Sequence, residues 1–251
     1  MLSGSSPVLS AWSGLPDPLT IEAVSAAPFD AVTLDGQHGG HTEDVILRAV
    51  AGIRAAGKSA IARIPVGRFD MASRLVDFGI EAIIAPMINN AADARAFADS
   101  VKYPPVGLRS WGAPRAQAFA GIRAAQDWFE QANAMTLAIA MIETRGALDQ
   151  LDAILAEPGI DGVFVGPNDL SIALTGGTRV DPDLPEMQAA LAEIAAKARA
   201  TGRFAGIYVG SPDRVGQLHS LGFRLFALTS DSSYILQGAS AQIAQARASV
   251  R

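Results

Sequence analysis

The chain of 251 residues contains no cysteine, which excludes disulfides, thiolate nucleophiles and zinc–thiolate centres. A chain of this composition is typical of the cytoplasm, which is the location we predict. The charged residues make up only 18% and the net charge is -5, so neither a disordered chain nor a nucleic-acid-binding surface is indicated. No apolar run reaches the roughly 20 residues that span a bilayer, and the first ten residues lack the features of a signal peptide. We therefore expect neither nucleic acid nor membrane as a partner.

Hydrophobic residues are abundant, at 49%, and they occur in eight short runs separated by alanine-rich segments with helical spacing. The runs predict strands at Val8–Trp12, Ala31–Leu34, Ala60–Ile64, Ala82–Pro86, Thr136–Ile142, Gly162–Val165, Phe204–Tyr208 and Arg224–Thr229. The helical segments between them include Asp44–Ala56, Ala91–Val101, Leu148–Ala156, Leu184–Ala200 and Pro212–Leu221.

Near-continuous apolar strands indicate a parallel sheet that is covered on both faces. Eight such units predict an α/β fold, a (β/α)₈ TIM barrel formed by residues 1–251 as a single domain. An open doubly wound sheet is the alternative. The interval from Asn89 to Ala134 is long for one β/α step, so we expect an additional helix and loop there.

One motif match has the wrong context. Residues Gly52–Ser59 fit the phosphate-loop pattern GxxxxGK[ST], which requires a strand before the loop and a helix after it. Here a helix is predicted to end at Gly57 and a strand follows. Nucleotide binding is therefore not predicted.

Polar residues follow the carboxyl ends of most predicted strands, which is where a (β/α)₈ barrel carries its chemistry. Charges placed directly after buried strands are costly unless they are paired or bound to a metal, so their recurrence predicts one convergent site. The residues are Trp12–Gly14, Asp35 with His38, Arg63, Glu143, Gly166–Asp169 and Thr229–Asp231.

Two carboxylates on neighbouring strand ends, Glu143 and Asp169, are candidate metal ligands. Oxygen-only ligation suits Mg²⁺ or Mn²⁺. The structural alternative is that Glu143 pairs with Arg145 or another arginine and that Asp169 caps the turn Leu170–Ala173. The segment Gly166-Pro167-Asn168 would also present backbone N–H groups of Asn168 and Asp169 to an anionic ligand.

The second candidate group lies on the second and third strands. Asp35 is placed to orient His38, which would then transfer protons near neutral pH. Arg63 offers a planar donor for a carbonyl oxygen or a carboxylate. The alternatives are a loop histidine with an N-capping acid and a buried ion pair of Arg63 with Asp35 or Glu143.

The motifs DGQHGG, RIP, IET and GPNDLS together resemble those of the HpcH/HpaI aldolases, from Trp12 to about Tyr234. These are class II, metal-dependent pyruvate aldolases, which cleave 4-hydroxy-2-oxoheptanedioate or 2-keto-3-deoxy sugar acids. The resemblance implies a carbon–carbon lyase (an aldehyde-lyase) that reversibly converts a 4-hydroxy-2-oxo acid into pyruvate, or hydroxypyruvate, and an aldehyde through a metal-stabilised enolate.

The resemblance also implies residue roles. Asp35 and His38 match the base dyad, and Arg63 matches the arginine at the keto oxygen. Glu143 and Asp169 match the ligands of Mg²⁺ or Mn²⁺, with Co²⁺ possible. The implied substrate site consists of Trp12, Gly166, Pro167, Asn168 and Asp169.

The resemblance further implies a hexamer, a trimer of dimers in which neighbouring subunits exchange the C-terminal helix. Asp77 in RLVDFG matches an acid that reaches a neighbour's site, and Trp111 in YPPVGLRSWG lies in a loop that lines a neighbour's aldehyde pocket. The chain departs from the family pattern at Gln37, where family members often have glutamate, and at Met141, where they often have glutamine. Both departures bear on substrate preference.

The residues also bear on three alternative functions. A Schiff-base aldolase needs a lysine at a strand end, and the site candidates include none. A citrate-lyase-like β-hydroxyacyl-CoA lyase needs a basic patch for the phosphates of CoA, which the sequence does not show. An inactive ligand-binding barrel would have no need to keep Asp35, His38, Arg63, Glu143 and Asp169 together.

Overall fold

A closed parallel barrel forms the centre of the computed structural model, which describes residues 6–250. Its eight strands lie in chain order, and β1 pairs with β8 to close the barrel. The strands are β1 Val8–Ser13, β2 Ala31–Asp35, β3 Ser59–Arg63, β4 Ala82–Ala85, β5 Leu137–Ile142, β6 Gly162–Val165, β7 Phe204–Val209 and β8 Phe223–Leu228. The predicted TIM barrel is confirmed, and each strand lies within one residue of its predicted bounds.

Helices cover the outside of the barrel over the described residues. They are α1 Pro18–Ser25, α2 Glu43–Ala55, α3 Phe69–Phe78, α4 Ala91–Val101, α5 Pro114–Phe119, α6 Ala125–Met135, α7 Arg145–Asp149, α8 Leu151–Leu155, α9 Pro167–Leu174, α10 Pro185–Ala200, α11 Val215–Leu221 and α12 Asp231–Ser249. The predicted helix Leu148–Ala156 is two short helices, α7 and α8, and the predicted helix Pro212–Leu221 begins with a 3₁₀ turn. The long interval after Asn89 holds α5 and α6, as predicted. None of the helices in residues 6–250 is long and apolar enough to cross a membrane.

Two apolar layers hold these elements together. Alternate strand residues point into the barrel, where Trp12, Met141 and Phe164 belong to one buried cluster. The other strand residues pack against the apolar faces of the helices in a larger cluster.

Both faces of each strand are buried, and the charged residues Asp35 and Arg63 stand at the carboxyl ends of their strands, where the site lies. The hydroxyls of Ser10 and Thr33, in the middle of β1 and β2, bond to each other at 2.8 Å.

The segment that matched the phosphate-loop pattern has the context predicted from the sequence. Helix α2 ends at Ala55, Gly57 adopts a φ of 72°, and β3 begins at Ser59. A positive φ suits glycine after a helix end. The segment joins a helix to a strand, the reverse of a phosphate loop.

Candidate active site

A cavity of about 440 Å³ opens at the carboxyl ends of the strands. It brings together eight of the eleven residues to which the sequence assigned a role at the site, whereas Glu143, Asp77 and Trp111 are not among its lining residues. The eight are Trp12, Asp35, His38, Arg63, Gly166, Pro167, Asn168 and Asp169.

Arg63 and Asp35 form a buried pair at the base of this cavity. They lie opposite each other in the register of β2 and β3, and Arg63 donates from Nε and Nη2 to the two oxygens of Asp35 at 2.8 and 2.7 Å. Burial alone would raise the pKa of Asp35, but the hydrogen bond and charge of Arg63 outweigh it and lower the pKa. Among the described residues Arg63 Nη1 has no hydrogen-bond partner. The pairing therefore orients the guanidinium and leaves one nitrogen for a ligand.

Trp12 forms one wall beside this pair. Its indole Nε1 donates to Asp35 Oδ2 at 3.3 Å, and the guanidinium carbon of Arg63 lies 4.8 Å from the centre of the ring. The indole thus contacts both charged side chains and helps to fix the position of the carboxylate and of the guanidinium.

His38 lies in the turn after β2, and Asp35 holds that turn through its backbone. Asp35 Oδ1 accepts the N–H of Gln37 at 3.0 Å and of His38 at 3.3 Å. The His38 side chain is exposed at the cavity rim, and its imidazole has no hydrogen bond to any of residues 6–250. Asp35 therefore positions the turn and the guanidinium, whereas the imidazole is left available to a ligand.

Glu143 follows β5 and is 3% exposed. Its Oε1 accepts the N–H of Met87 at 2.8 Å. Burial raises the pKa of Glu143, and the charge of Asp169 adds to this effect, while the Met87 hydrogen bond and the charge of Arg63 oppose it. A buried carboxylate with a second carboxylate close by is an environment that a cation would stabilise.

The two structural alternatives for these carboxylates are not realised. Arg145 pairs with Glu186 at 3.0 Å rather than with Glu143. Asp169 lies inside the first turn of α9, whose N-cap is Gly166, and no side chain caps that end.

Gly166 makes room for the carboxylate of Glu143. A Cβ at Gly166 would come within 2.6 Å of both Glu143 Oε2 and Met141 Cε. Pro167 then begins α9, and the N–H groups of Asn168 and Asp169 in its first turn have no partner within the helix. This helix end therefore offers donors and a partial positive charge to an anion in the cavity.

The donor set fits a hard divalent cation. Glu143 and Asp169 supply only oxygen atoms, which suits Mg²⁺ or Mn²⁺. Within residues 6–250 no group of three or more His, Asp or Glu residues could hold a metal. Water and substrate would therefore complete the coordination.

Comparison with known proteins identifies the family. Residues 9–237 match the family model described as HpcH/HpaI aldolase/citrate lyase. The chain belongs to this family. A hydroxypyruvate/pyruvate aldolase of Rhizorhabdus wittichii is 35% identical over 242 residues, which are 96% of this chain and 95% of the relative.

A second relative and a solved structure agree with this assignment. A 4-hydroxy-2-oxo-heptane-1,7-dioate aldolase of Salmonella dublin is 31% identical over 244 residues, covering 97% of this chain and 92% of the relative. The crystal structure of an HpcH/HpaI aldolase/citrate lyase family protein from Burkholderia cenocepacia J2315 aligns with a TM-score of 0.87 at 27% identity, over 98% of this chain and 96% of that one.

Tyr208 is a cavity residue of this HpcH/HpaI chain that the sequence did not reveal. It lies near the end of β7, its ring packs edge-on against Trp12 with centres 5.5 Å apart, and burial raises the pKa of its hydroxyl. A lone tyrosine near the end of an otherwise apolar barrel strand was the available signal. Asp231 also lines the cavity. The sequence places it after the last strand without assigning it a role.

Asp77 and Trp111 do not line the cavity of their own HpcH/HpaI barrel. Asp77 lies in the last turn of α3, near the start of β4, and pairs with the buried Arg109. Trp111 is 53% exposed and contacts the rings of Tyr103 and Phe129.

Proposed function

We propose that this HpcH/HpaI family member cleaves a 4-hydroxy-2-oxo acid reversibly into pyruvate, or hydroxypyruvate, and an aldehyde. The observation that carries the proposal is one cavity lined by Asp169 and by the oriented guanidinium of Arg63, with the buried carboxylate of Glu143 directly against Gly166 in its lining. Both curated relatives compared above are named as aldolases of 2-oxo acids, which supports the same reaction class.

Mg²⁺ or Mn²⁺, with Co²⁺ as a further possibility, is the proposed cofactor, held by Glu143 and Asp169. When bound, the cation supplies positive charge that favours development of negative charge on the keto oxygen of the substrate. The N–H groups of Asn168 and Asp169, beside Gly166 and Pro167, receive the substrate carboxylate.

Arg63 and His38 carry the remaining chemistry in this proposal. The free Nη1 of Arg63 donates to the keto oxygen, and Trp12 keeps the guanidinium in place. His38 and Asp35 act as the base dyad, in which His38 exchanges protons with the substrate at the cavity rim and Asp35 holds its turn. The departure at Met141 replaces a hydrogen-bonding amide by a thioether beside Gly166, and it leaves these roles with their residues.

Coenzyme A thioesters fit this cavity poorly. Of the described residues that line it, Arg63 is the one Lys or Arg, and it is already paired with Asp35. The phosphates of CoA would need several such groups. A citrate-lyase-like activity is therefore not proposed. An inactive barrel is not proposed either, since it would have no need to hold the costly buried charges of Asp35, Arg63 and Glu143.

Helix α12 supports the proposed hexamer, a trimer of dimers. Every described residue from Ile235 to its end is exposed, including Ile235 at 56%, Leu236 at 68% and Ile243 at 53%. A helix without packing is marginal in water, so a neighbouring subunit is the natural place for these side chains. In that assembly Asp77 and Trp111 contribute to a neighbour's site. The chain is proposed to act as one domain over residues 1–251 in the cytoplasm.

Proton exchange at the methyl group of pyruvate tests the function without knowledge of the aldehyde. Pyruvate is incubated with the protein in D₂O, with and without Mn²⁺ or Mg²⁺, and loss of the methyl proton signal is followed by NMR. The proposed enzyme exchanges these protons when metal is present and stops after chelation. Exchange that chelation does not affect would remove the metal from the reaction.

A further inference from the structure

Asp231 lines the cavity with a buried carboxylate, and its hydrogen bonds fix the backbone at the end of β1. It is the first residue of α12 and is 1% exposed. Its Oδ2 accepts from the Ser13 hydroxyl at 2.9 Å, from the Gly14 N–H at 3.0 Å and from the Leu15 N–H at 2.9 Å. One carboxylate oxygen therefore fixes three consecutive residues, Ser13 to Leu15. The loop that follows β1, residues 14–17, is called the β1 loop here.

His41, in the loop between β2 and α2, bonds to the same end of β1. Its Nε2 lies 2.9 Å from the carbonyl oxygen of Ser13 and 3.0 Å from its hydroxyl. A carbonyl oxygen can only accept, so Nε2 carries the proton. Burial lowers the pKa of His41, which favours this neutral ring.

These three side chains do not form a hydrolytic triad. Ser13 is fully buried, so its hydroxyl is out of reach of a substrate. Asp231 bonds the hydroxyl of Ser13 rather than His41, whose Nδ1 has no partner among the described residues. A triad needs the opposite order, in which the imidazole lies between the acid and the serine.

The β1 loop packs directly on the turn that carries His38. The N–H of Gly40 donates to the carbonyl of Gly14 at 2.8 Å. A Cβ at Gly39 would come 2.9 Å from Gly14 Cα, and a Cβ at Gly40 would come 2.6 Å from Pro16 Cγ. The two glycines bring the loops into backbone contact, so a shift of the β1 loop would move the His38 turn.

The backbone two residues before Asp231 is in an unfavourable conformation. Thr229 has a φ of 38°, and within residues 6–250 it shares a positive φ only with Met87 among residues other than glycine. Such a conformation is unfavourable for threonine and persists where surrounding contacts hold it. The bonds of Asp231 are contacts of this kind.

We propose that Asp231 is a positioning residue for the aldol reaction. With Ser13 and His41 it fixes the β1 loop against the His38 turn, and so sets the place of the His38 imidazole at the cavity. The role rests on the proposed function only in that His38 is the proton-transfer group. The position of His38 itself can be measured without turnover.

The test compares Asp231→Asn with Asp17→Asn. In Asp231→Asn the NH₂ group replaces one acceptor oxygen and faces N–H donors, either those of the β1 loop or that of Ser232. Asp17 lies in the same loop but is exposed and caps α1 by accepting the Thr20 N–H at 2.8 Å. It is a charge-matched control outside the cavity.

Two readouts are taken on each variant. The chain has three histidines, so its imidazole signals can be assigned in NMR spectra by single substitutions. Asp231→Asn is expected to shift the signals of His38 and His41 and to lower kcat for cleavage about 10- to 100-fold, with KM changed much less. Asp17→Asn is expected to leave the histidine signals and kcat unchanged.

The proposal is overturned if folded Asp231→Asn keeps the wild-type His38 signal, whatever happens to kcat. If Asp231→Asn folds poorly, Ser13→Ala removes the hydroxyl alone and should still shift His38; no shift in that variant would also overturn the proposal. A wild-type chain without turnover would contradict the proposed function, while the His38 signal would still decide the role of Asp231.

Discussion

The carboxylate of Asp35 joins two parts of the site: it accepts from the guanidinium of Arg63 and from the backbone N–H groups of Gln37 and His38. The place of Asp35 directly after the predicted second strand, with Arg63 near the end of the predicted third strand, predicts that the two are neighbours. Which acceptor each donor uses depends on strand register and side-chain direction, which the sequence does not specify. The carboxylate contacts the guanidinium and the backbone of the His38 turn, and the predicted dyad with the imidazole stays a prediction.

His38→Ala tests the proposed base. The variant is expected to lower kcat about 10²- to 10⁴-fold, the usual contribution of a proton-transfer group, and to bind Mn²⁺ as the wild type does. Steady-state kinetics and a metal titration measure the two effects. His219→Ala, on α11 outside the cavity, is the matched control. Wild-type turnover in His38→Ala would remove His38 from the reaction.

Glu143→Gln tests whether burial of the Glu143 carboxylate lowers the stability of the folded protein. Because the folded-state pKa of Glu143 is raised, its protonated form is favoured by folding, and stability is lost as pH rises through that pKa. The neutral variant without metal is therefore expected to melt a few degrees above the wild type at pH 7, and to lose this advantage below about pH 4, near the ordinary glutamate pKa. Melting curves at both pH values, with chelator present, measure it. A variant that is less stable at pH 7 would contradict the account.

Gly166→Ala tests whether the space beside Glu143 matters. The added methyl would press on the carboxylate and on Met141, and we expect Mn²⁺ affinity to fall about 10-fold or more, as when a metal ligand loses its support. Gly210→Ala is the control, since a Cβ there meets nothing within 4 Å. Equal Mn²⁺ affinities in the two variants, by calorimetry, would show that the contact is unimportant.

At the scale of elements, the strands were predictable and several helices were not. Strands buried on both faces are uninterrupted apolar runs, and all eight were located within one residue. Helices α1, α3 and α9 were not predicted. Helix α9 has the sequence PNDLSIAL, whose polar start indicates a loop, although proline, asparagine and aspartate all suit the first turn of a helix.

Helix α12 carries the prediction that belongs to this scale. Replacing Ile235 and Leu236 together by glutamate is expected to reduce the assembly to smaller species, because the charges would face a neighbouring subunit. Light scattering coupled to size exclusion measures the mass. Val180→Glu, a change at another exposed apolar residue, is the control. An unchanged mass for the double variant would show that α12 is not at the interface.

The architecture of the whole molecule was predictable from the sequence, because eight β/α units of this length close into a barrel. The convergence of the site followed from that closure, since all carboxyl strand ends meet at one rim. Tyr208 and the contacts of Asp231 were not predictable, because they depend on packing between elements far apart in sequence. The proposed subunit arrangement was predictable only by resemblance, because it depends on contacts with other molecules.

Pyruvate release from a 4-hydroxy-2-oxo acid is the most direct test of the account. The release is measured first with EDTA and then after Mn²⁺ or Mg²⁺ is added back. For the proposed metal-dependent aldolase, EDTA is expected to stop the release and the added metal to restore it. Release that persists in EDTA, or none with any metal from folded protein, would contradict this expectation.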